Sequence, residues 1–344
     1  MRQQRISAPR RARPLLAALA LAVALAVPAN LLATPAAEGS SHAHGRKAGT
    51  SVITGIGDEH TAMFYSRYWQ QMHMRITRYI TPYDVVAHRR ELNEARAWIQ
   101  TATAAHQEIL VAFYHSEQSP TRMPSPALYK QDVSKFLKLF PQVHEYQPWN
   151  EANRGYIPHM LQSPTAMQSA LYYRELRSIA HHRTVLGLDI LDSYRIGPTL
   201  TYVNQFKSDL RKLRLPMPHI WGFHNYSDTN RFQATRTKAV LGAVPGELWL
   251  TETGGVVQYG TDFTNKHGAG LRRAAQALGY MYKLAYTNAR IKRLYIYDWT
   301  GAGPRARFDA GLTDARGRPR KGYVVVCDHQ LHNSKKCRVR TVND

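Results

Sequence analysis

The chain has 344 residues, 44% of them hydrophobic and 20% charged, an ordinary balance for a globular protein in which core size sets no limit. Its formal net charge is +22, and +17 once the five arginines of the leader are set aside, a field that favours anionic partners unless it is a solubility trait spread over outer helices. Only Cys327 and Cys337 are present, which excludes a CxxC metal pattern and does not suggest a Cys-His nucleophile pair.

Arg2, Arg5, Arg10, Arg11 and Arg13 precede an apolar run over 15–27 and then small residues, the pattern of a secretory signal. Cleavage after Ala29 or near Ala37 fits. The apolar run extended to Ala33 approaches spanning length, so an uncleaved N-terminal anchor is the alternative. Residues 1–37 are therefore read as signal peptide or anchor, and the small, polar stretch 38–50 as a linker. His42 and His44 in that linker are assigned no role. The expected location is secreted or associated with the cell envelope.

From residue 51 on, short β-rich apolar runs alternate with amphipathic helical stretches. The runs are 52–57, 74–81, 109–114, 143–148, 185–191, 219–224, 248–252 and 293–299. Between them lie helical patterns such as 91–106, 166–180 and 270–288, with apolar residues three and four apart. Eight strands each followed by a helix predict an α/β fold, a single (β/α)8 TIM barrel over residues 51–331. A doubly wound sheet would normally carry a Gly-rich phosphate loop after its first strand, and Gly55-Ile56-Gly57-Asp58-Glu59 lacks the third glycine. Residues 323–331 read as a closing helix, although Val324-Val325-Val326 also suits a strand. Residues 332–344 read as a basic tail, and the exported context suggests a Cys327–Cys337 disulfide closing a short loop.

In such barrels the site lies at the C-terminal ends of the strands. Strand four ends in Trp149-Asn150-Glu151 and strand seven in Thr251-Glu252-Thr253-Gly254. Cleavage of a glycosidic bond needs one carboxylic acid to protonate the leaving oxygen and a second carboxylate to attack or to activate water. Glu151 and Glu252, three βα units apart, supply such a pair across the barrel mouth. Leu248, Leu250 and Glu252 would share one face of strand seven, whereas Pro148 disturbs the pleat before Glu151.

With these motifs the chain resembles the clan A glycoside hydrolases, most of all families 5 and 39 and related secreted proteins of actinobacteria, over roughly residues 51–325. The resemblance implies that Glu151 is the acid/base, Asn150 a ligand of the sugar 2-hydroxyl and Glu252 the nucleophile. It further implies that Arg78 on strand two and Tyr226 hydrogen-bond the nucleophile, with His224 and Trp299 supporting the site. Arg75, on the opposite face of strand two, is the competing arginine. An Arg and a Tyr hydroxyl would keep Glu252 ionised, and the charge of Glu252 would raise the pKa of Glu151. Trp299 would form an apolar floor for the sugar. Asp58, His115 and Asp192 are expected only as subsite contacts, and the loops 114–125 and 259–266 as shapers of the subsites.

The expected function is thus an exported glycosidase with a retaining two-glutamate mechanism. It needs no cofactor and no metal, acts as a monomer on a carbohydrate, and has an anionic cell-wall polymer as a further candidate partner. The alternative is a catalytically weak or inactive carbohydrate-binding barrel on a cell-surface polymer. Nucleic-acid binding is not expected, because no zinc-finger spacing, ribonucleoprotein motif or basic helix occurs.

Overall fold

The computed structural model describes residues 52–155, 162–193, 195–303 and 305–342. The leader (1–37) and linker (38–50) lie outside the described residues. The strands are β1 (Ile53–Gly57), β2 (Ile76–Pro82), β3 (Glu108–Tyr114), β4 (Glu145–Gln147), β5 (Thr184–Val185), β6 (Asp189–Leu191), β7 (Ile220–His224), β8 (Glu247–Thr253), β9 (Gln258–Tyr259), β10 (Ile291–Tyr297) and β11 (Phe308–Asp309). The helices are α1 (Ala62–Tyr65), α2 (Arg67–Gln70), α3 (Arg89–Ala104), α4 (Pro126–Leu139), α5 (Ala166–Ile179), α6 (Ile196–Lys212), α7 (Tyr226–Asn230), α8 (Thr235–Ala243), α9 (Ala269–Ala285) and α10 (Lys321–Leu331).

The main sheet is parallel, in the order β5-β4-β3-β2-β1-β10-β8-β7-β6. Its two end members, β5 and β6, are pieces of one strand broken at Leu186-Gly187-Leu188. Within that break Leu186 N donates to Tyr146 O on one side and Gly187 N to Ile220 O on the other, both at 2.9 Å. The sheet therefore closes on itself as an eight-stranded barrel, and each of the eight apolar runs holds one of its strands.

Both faces of a barrel strand are covered, which is why β3 reads as a continuous apolar run, EILVAFY. Outward residues such as Val111, Phe113, Leu248 and Leu250 join the main core under the helices. Inward residues Ile76, Leu110, Leu186, Trp249 and Tyr295 form a separate layer inside the barrel. The helices follow from local signals as well as from their apolar faces. Ser125 caps α4 ahead of Pro126, and Thr165 with Gln168 forms a capping box at α5. On α9, Leu271, Ala274, Leu278, Met281 and Ala285 recur at helical spacing and are buried.

Residues 321–331 are helix, which decides between the two sequence readings of that stretch. Cys327 and Cys337 are bonded, with Cα atoms 5.7 Å apart. The segment read as a tail is tied down in its described part: Cys337 is fully buried, and Val342 N donates to Pro319 O at 2.9 Å. Among the described residues no helix is long and apolar enough to cross a membrane.

The expectation that Leu248, Leu250 and Glu252 share a face is overturned. Leu248 and Leu250 point outward, while Trp249 and Thr251 point into the barrel. The register runs Gly222↔Trp249 and then His224↔Glu252 on one side of β8, and Leu294↔Leu250 and then Ile296↔Thr253 on the other. Both neighbours thus advance two residues while β8 advances three. This β-bulge changes the phase of the strand and turns Glu252 inward after Thr251.

Candidate active site

Arg78 is the hub of the site. It is 1% exposed on β2, and each branch of its guanidinium has a partner. Nε donates to Gln147 Oε1 at 2.8 Å and Nη1 to Glu252 Oε1 at 2.8 Å. Nη2 donates to Asn150 Oδ1 at 2.7 Å and to Asp189 Oδ2 at 2.8 Å. One planar cation thereby orients side chains from β4, β6, β8 and the loop after β4, a task suited to the fixed fork of arginine. Arg75, the competing candidate, is exposed.

Glu252 receives a second bond from Tyr226 OH, at 3.3 Å to Oε2. Asn150, with Oδ1 engaged by Arg78 and its backbone N–H donated to Phe113 O at 2.7 Å, has its amide plane fixed. Glu151 follows with φ +46°, in the left-handed region, and its carboxylate is 1% exposed inside the site. A non-glycine residue held there is costly and persists when its surroundings fix it. Here Asn150 N bonded to Phe113 O and Ala152 N bonded to Asp189 O hold the turn on both sides.

His224 joins the two glutamates. Its Nδ1 lies 3.0 Å from Glu151 Oε1 and 3.5 Å from Glu252 Oε2, and its Nε2 makes a charge contact with Asp189 Oδ2 at 3.0 Å. Burial pulls its pKa down, but the charges of Asp189 and Glu252 and the hydrogen bonds to Asp189 and Glu151 outweigh it and push it up to about 10. His224 is therefore a cation at neutral pH, with Nδ1 donating to Glu151 Oε1. Asp189 is held well below the usual carboxylate range: His224, Arg78 and a 2.6 Å bond from Thr251 Oγ1 overcome its burial.

The expected raised pKa of Glu151 is reversed. Burial does raise it, but Arg154, with Nη2 2.6 Å from Oε2, and the protonated His224 more than offset this and hold the carboxyl below its ordinary value. Arg154 also donates from Nη1 to Tyr114 OH at 2.9 Å. The inner set thus balances three cations (Arg78, Arg154, His224) against three carboxylates (Glu151, Asp189, Glu252). A fourth carboxyl, Glu59, follows β1 and accepts from Tyr297 OH at 3.3 Å. Burial first, and then Asp58 and Glu252, push it up to about 8, so it is largely neutral at pH 7.

Trp299 is corrected as well. Its ring is 3% exposed in the main core and meets Tyr323 edge-on at 6.0 Å between centroids, so it packs under α10 and offers no floor to a sugar. The aromatic residue on the site side is Tyr297, which clusters with Tyr226 and Val256 and, at the rim, with Tyr259, Phe263 and Phe308. Strands β9 and β11 pair there, so the loops after β8 and β10 form one small sheet at the mouth.

Of the expected subsite contacts, Asp58 accepts from His60 N and Thr300 N, both at 2.7 Å. Asp192 accepts from Ser227 N at 2.7 Å, with burial as the main cause that pushes it up to about 7. His115 Nδ1 faces Ser116 O at 3.1 Å, and burial lowers its pKa. All three tie loop backbone in place. Sequence reading missed Asp189, Gln147, Arg154 and Glu59. An aspartate within the apolar run Leu188–Leu191 was the clearest available signal, since a charge on a buried strand needs a partner.

Glu151, His224 and Glu252 offer ligand atoms within 4.8 Å of one another, a spacing that could hold a metal ion. The donor chemistry does not fit one: His224 is protonated, and Arg78 and Arg154 occupy the carboxylates.

No family model and no curated protein sequence matches the chain. Solved structures do match it. GH5_18 from Streptomyces cattleya in complex with GlcNAc is 12% identical with TM-score 0.58, over 86% of this chain and 83% of that one. Fungal beta-1,4-galactanase is 12% identical with TM-score 0.59, over 80% and 98%. A family 39 glycoside hydrolase from the gut symbiont Bacteroides cellulosilyticus WH2 is 11% identical with TM-score 0.53, over 81% and 63%. The chain shares their barrel fold. At such identities the likeness is one of fold, and function has to be argued from the site.

Proposed function

We propose that this chain is a retaining glycoside hydrolase in which Glu252 is the nucleophile and Glu151 the acid/base. The observation that carries the reading is the pair itself. Carboxylate oxygens of Glu151 and Glu252 lie within 4.8 Å of one another, on loops and strands that Arg78 and His224 lock together. Retaining pairs sit about 5–5.5 Å apart and inverting pairs about 6.5–9.5 Å, so the close spacing supports retention.

In the first step Glu252 attacks the anomeric carbon while protonated Glu151 gives its proton to the departing oxygen. The glycosyl-enzyme forms as the glycosidic bond breaks. In the second step Glu151, now a carboxylate, takes a proton from water, whose oxygen attacks the anomeric carbon and releases Glu252. Arg78 and Tyr226 orient the nucleophile, and Asn150 holds the sugar 2-hydroxyl. The arginine-rich leader and the apolar run after it support export, and the substrate is a carbohydrate bound by a monomer.

One observation favours the second reading, a weak or inactive carbohydrate-binding barrel: Arg154 and His224 hold Glu151 ionised, the wrong state for the first step. The two readings separate on a panel of aryl glycosides and polysaccharides tested with wild type, Glu151→Ala and Glu252→Gln. The glycosidase reading expects release of reducing sugar by wild type, a fall of about 10²–10⁴-fold in Glu151→Ala, and loss to background in Glu252→Gln with binding retained. Polymer binding without release by any of the three would favour the binding barrel.

A further inference from the structure

The ion pair between Arg154 and Glu151 is hard to reconcile with an acid/base, yet it is short and buried. Arg154 has a side chain 5% exposed, contacts Glu151 Oε2 at 2.6 Å and is braced by Tyr114 OH at 2.9 Å. A proton donor must come within about 2.6–3.2 Å of the glycosidic oxygen. Any sugar placed for that transfer therefore brings its neighbouring substituents within reach of the Arg154 guanidinium.

We propose that Arg154 selects a sugar carboxylate beside the scissile bond, and that binding of this uronate draws the guanidinium from Glu151 and converts Glu151 to the acid. The proposal rests on the glycosidase reading and names its substrate class. Two facts favour a carboxylate. A planar carboxylate matches the fork of arginine, and the protein's net charge draws anionic polymers to it.

The charge balance of the site explains the coupling. Glu151 faces Arg154 from its own loop, Asp189 from β6, His224 from β7, Tyr226 from α7 and Glu252 from β8, while Tyr114 of β3 meets it through Arg154. Three carboxylates already match three cations. A substrate carboxylate adds a fourth negative charge, and two carboxylates competing for one guanidinium cannot both stay ionised cheaply. Glu151, losing Arg154, takes up a proton from solvent. The site thus arms its acid only when the anionic sugar is present, and neutral sugars leave Glu151 as a carboxylate.

The test uses uronate-containing oligosaccharides and the same oligosaccharides after chemical reduction of their carboxyl groups. In wild type, kcat/KM is expected to favour the native over the reduced form by at least about tenfold. Arg154→Gln should bring that ratio within about twofold and shift the alkaline limb for reduced substrate to higher pH, since Glu151 loses its guanidinium. Arg154→Lys should fall between. Titration calorimetry of Glu252→Asp, which slows turnover but keeps the third negative charge of the site, in buffers of different ionisation enthalpy should show uptake of about one proton with the native oligosaccharide and none with the reduced one. Equal use of both forms by wild type, an unchanged ratio in Arg154→Gln, or binding without proton uptake would overturn the proposal. Should wild type cleave neither form, the glycosidase reading fails on that result, and the calorimetry alone decides the role of Arg154. The carboxyl-reduction comparison needs only wild type, so a variant that does not fold leaves the test intact.

Discussion

His224 shows how much of this site is electrostatic. The side chain is fully buried, yet it stays charged, because Asp189, Glu151 and Glu252 surround it. Its folded pKa of about 10 lies above the ordinary 6.5, so the stability its ion pairs contribute is complete below about pH 6.5 and is lost as pH rises through 10. In urea denaturation, the advantage of wild type over His224→Gln should be largest near pH 6 and shrink steadily towards pH 10. Glu59 gives the same sign at lower pH, but there it is the neutral form that the fold favours. Its folded pKa of about 8 exceeds the ordinary 4.5, so wild type loses stability between those values, and Glu59→Gln should gain on wild type across that window. A Glu59→Gln curve parallel to wild type from pH 5 to 8 would show that the carboxyl is not held neutral.

The strands carry the site through backbone features that their side-chain patterns do not announce. The bulge in β8 is one of them. Alternation alone puts Glu252 in phase with two outward leucines, and only the pairing with β7 and β10 shows the extra residue that brings it inward. The eight runs were legible because barrel strands are apolar on both faces, and the two glutamate motifs because both end a strand. Asp189 and Glu59 were not, since their partners lie on other elements, more than a hundred residues away in the case of Asp189 and Arg78, and Arg154 was not, although Glu151 is only three residues away, because the left-handed turn at Glu151 between them has no side-chain signature. Trp299 was misread because an aromatic residue after a strand suits both a sugar floor and a core, and the packing of α10 decided it. Gly222 on β7 is a further requirement of this layer: a Cβ there would overlap Gln147 Nε2, Asp189 Oδ1 and Thr251 Oγ1. Gly222→Ala should therefore cost roughly 1–3 kcal/mol of stability and lower activity by disturbing the Arg78 network. A stable, fully active variant would mean that the network has slack.

For the whole molecule, the barrel separates support from chemistry. The apolar layer of Ile76, Leu110, Leu186, Trp249 and Tyr295 fills the interior below the charged layer around Arg78. The Cys327–Cys337 bridge anchors the end of α10, a helix that packs on α9. It closes a loop of ten residues, so removing it in a Cys327→Ser/Cys337→Ser variant should cost about 2–3 kcal/mol and leave kcat near wild type, read by thermal melting and initial rates. The central claim is the retaining pair, and the most direct measurement is the anomeric configuration of the first product, followed by proton NMR before mutarotation. With a β-glycoside substrate that wild type cleaves, the account predicts that the β-anomer appears first and the α-anomer grows in later. An α-anomer appearing first would contradict it, by assigning Glu252 to activate water rather than to attack the sugar.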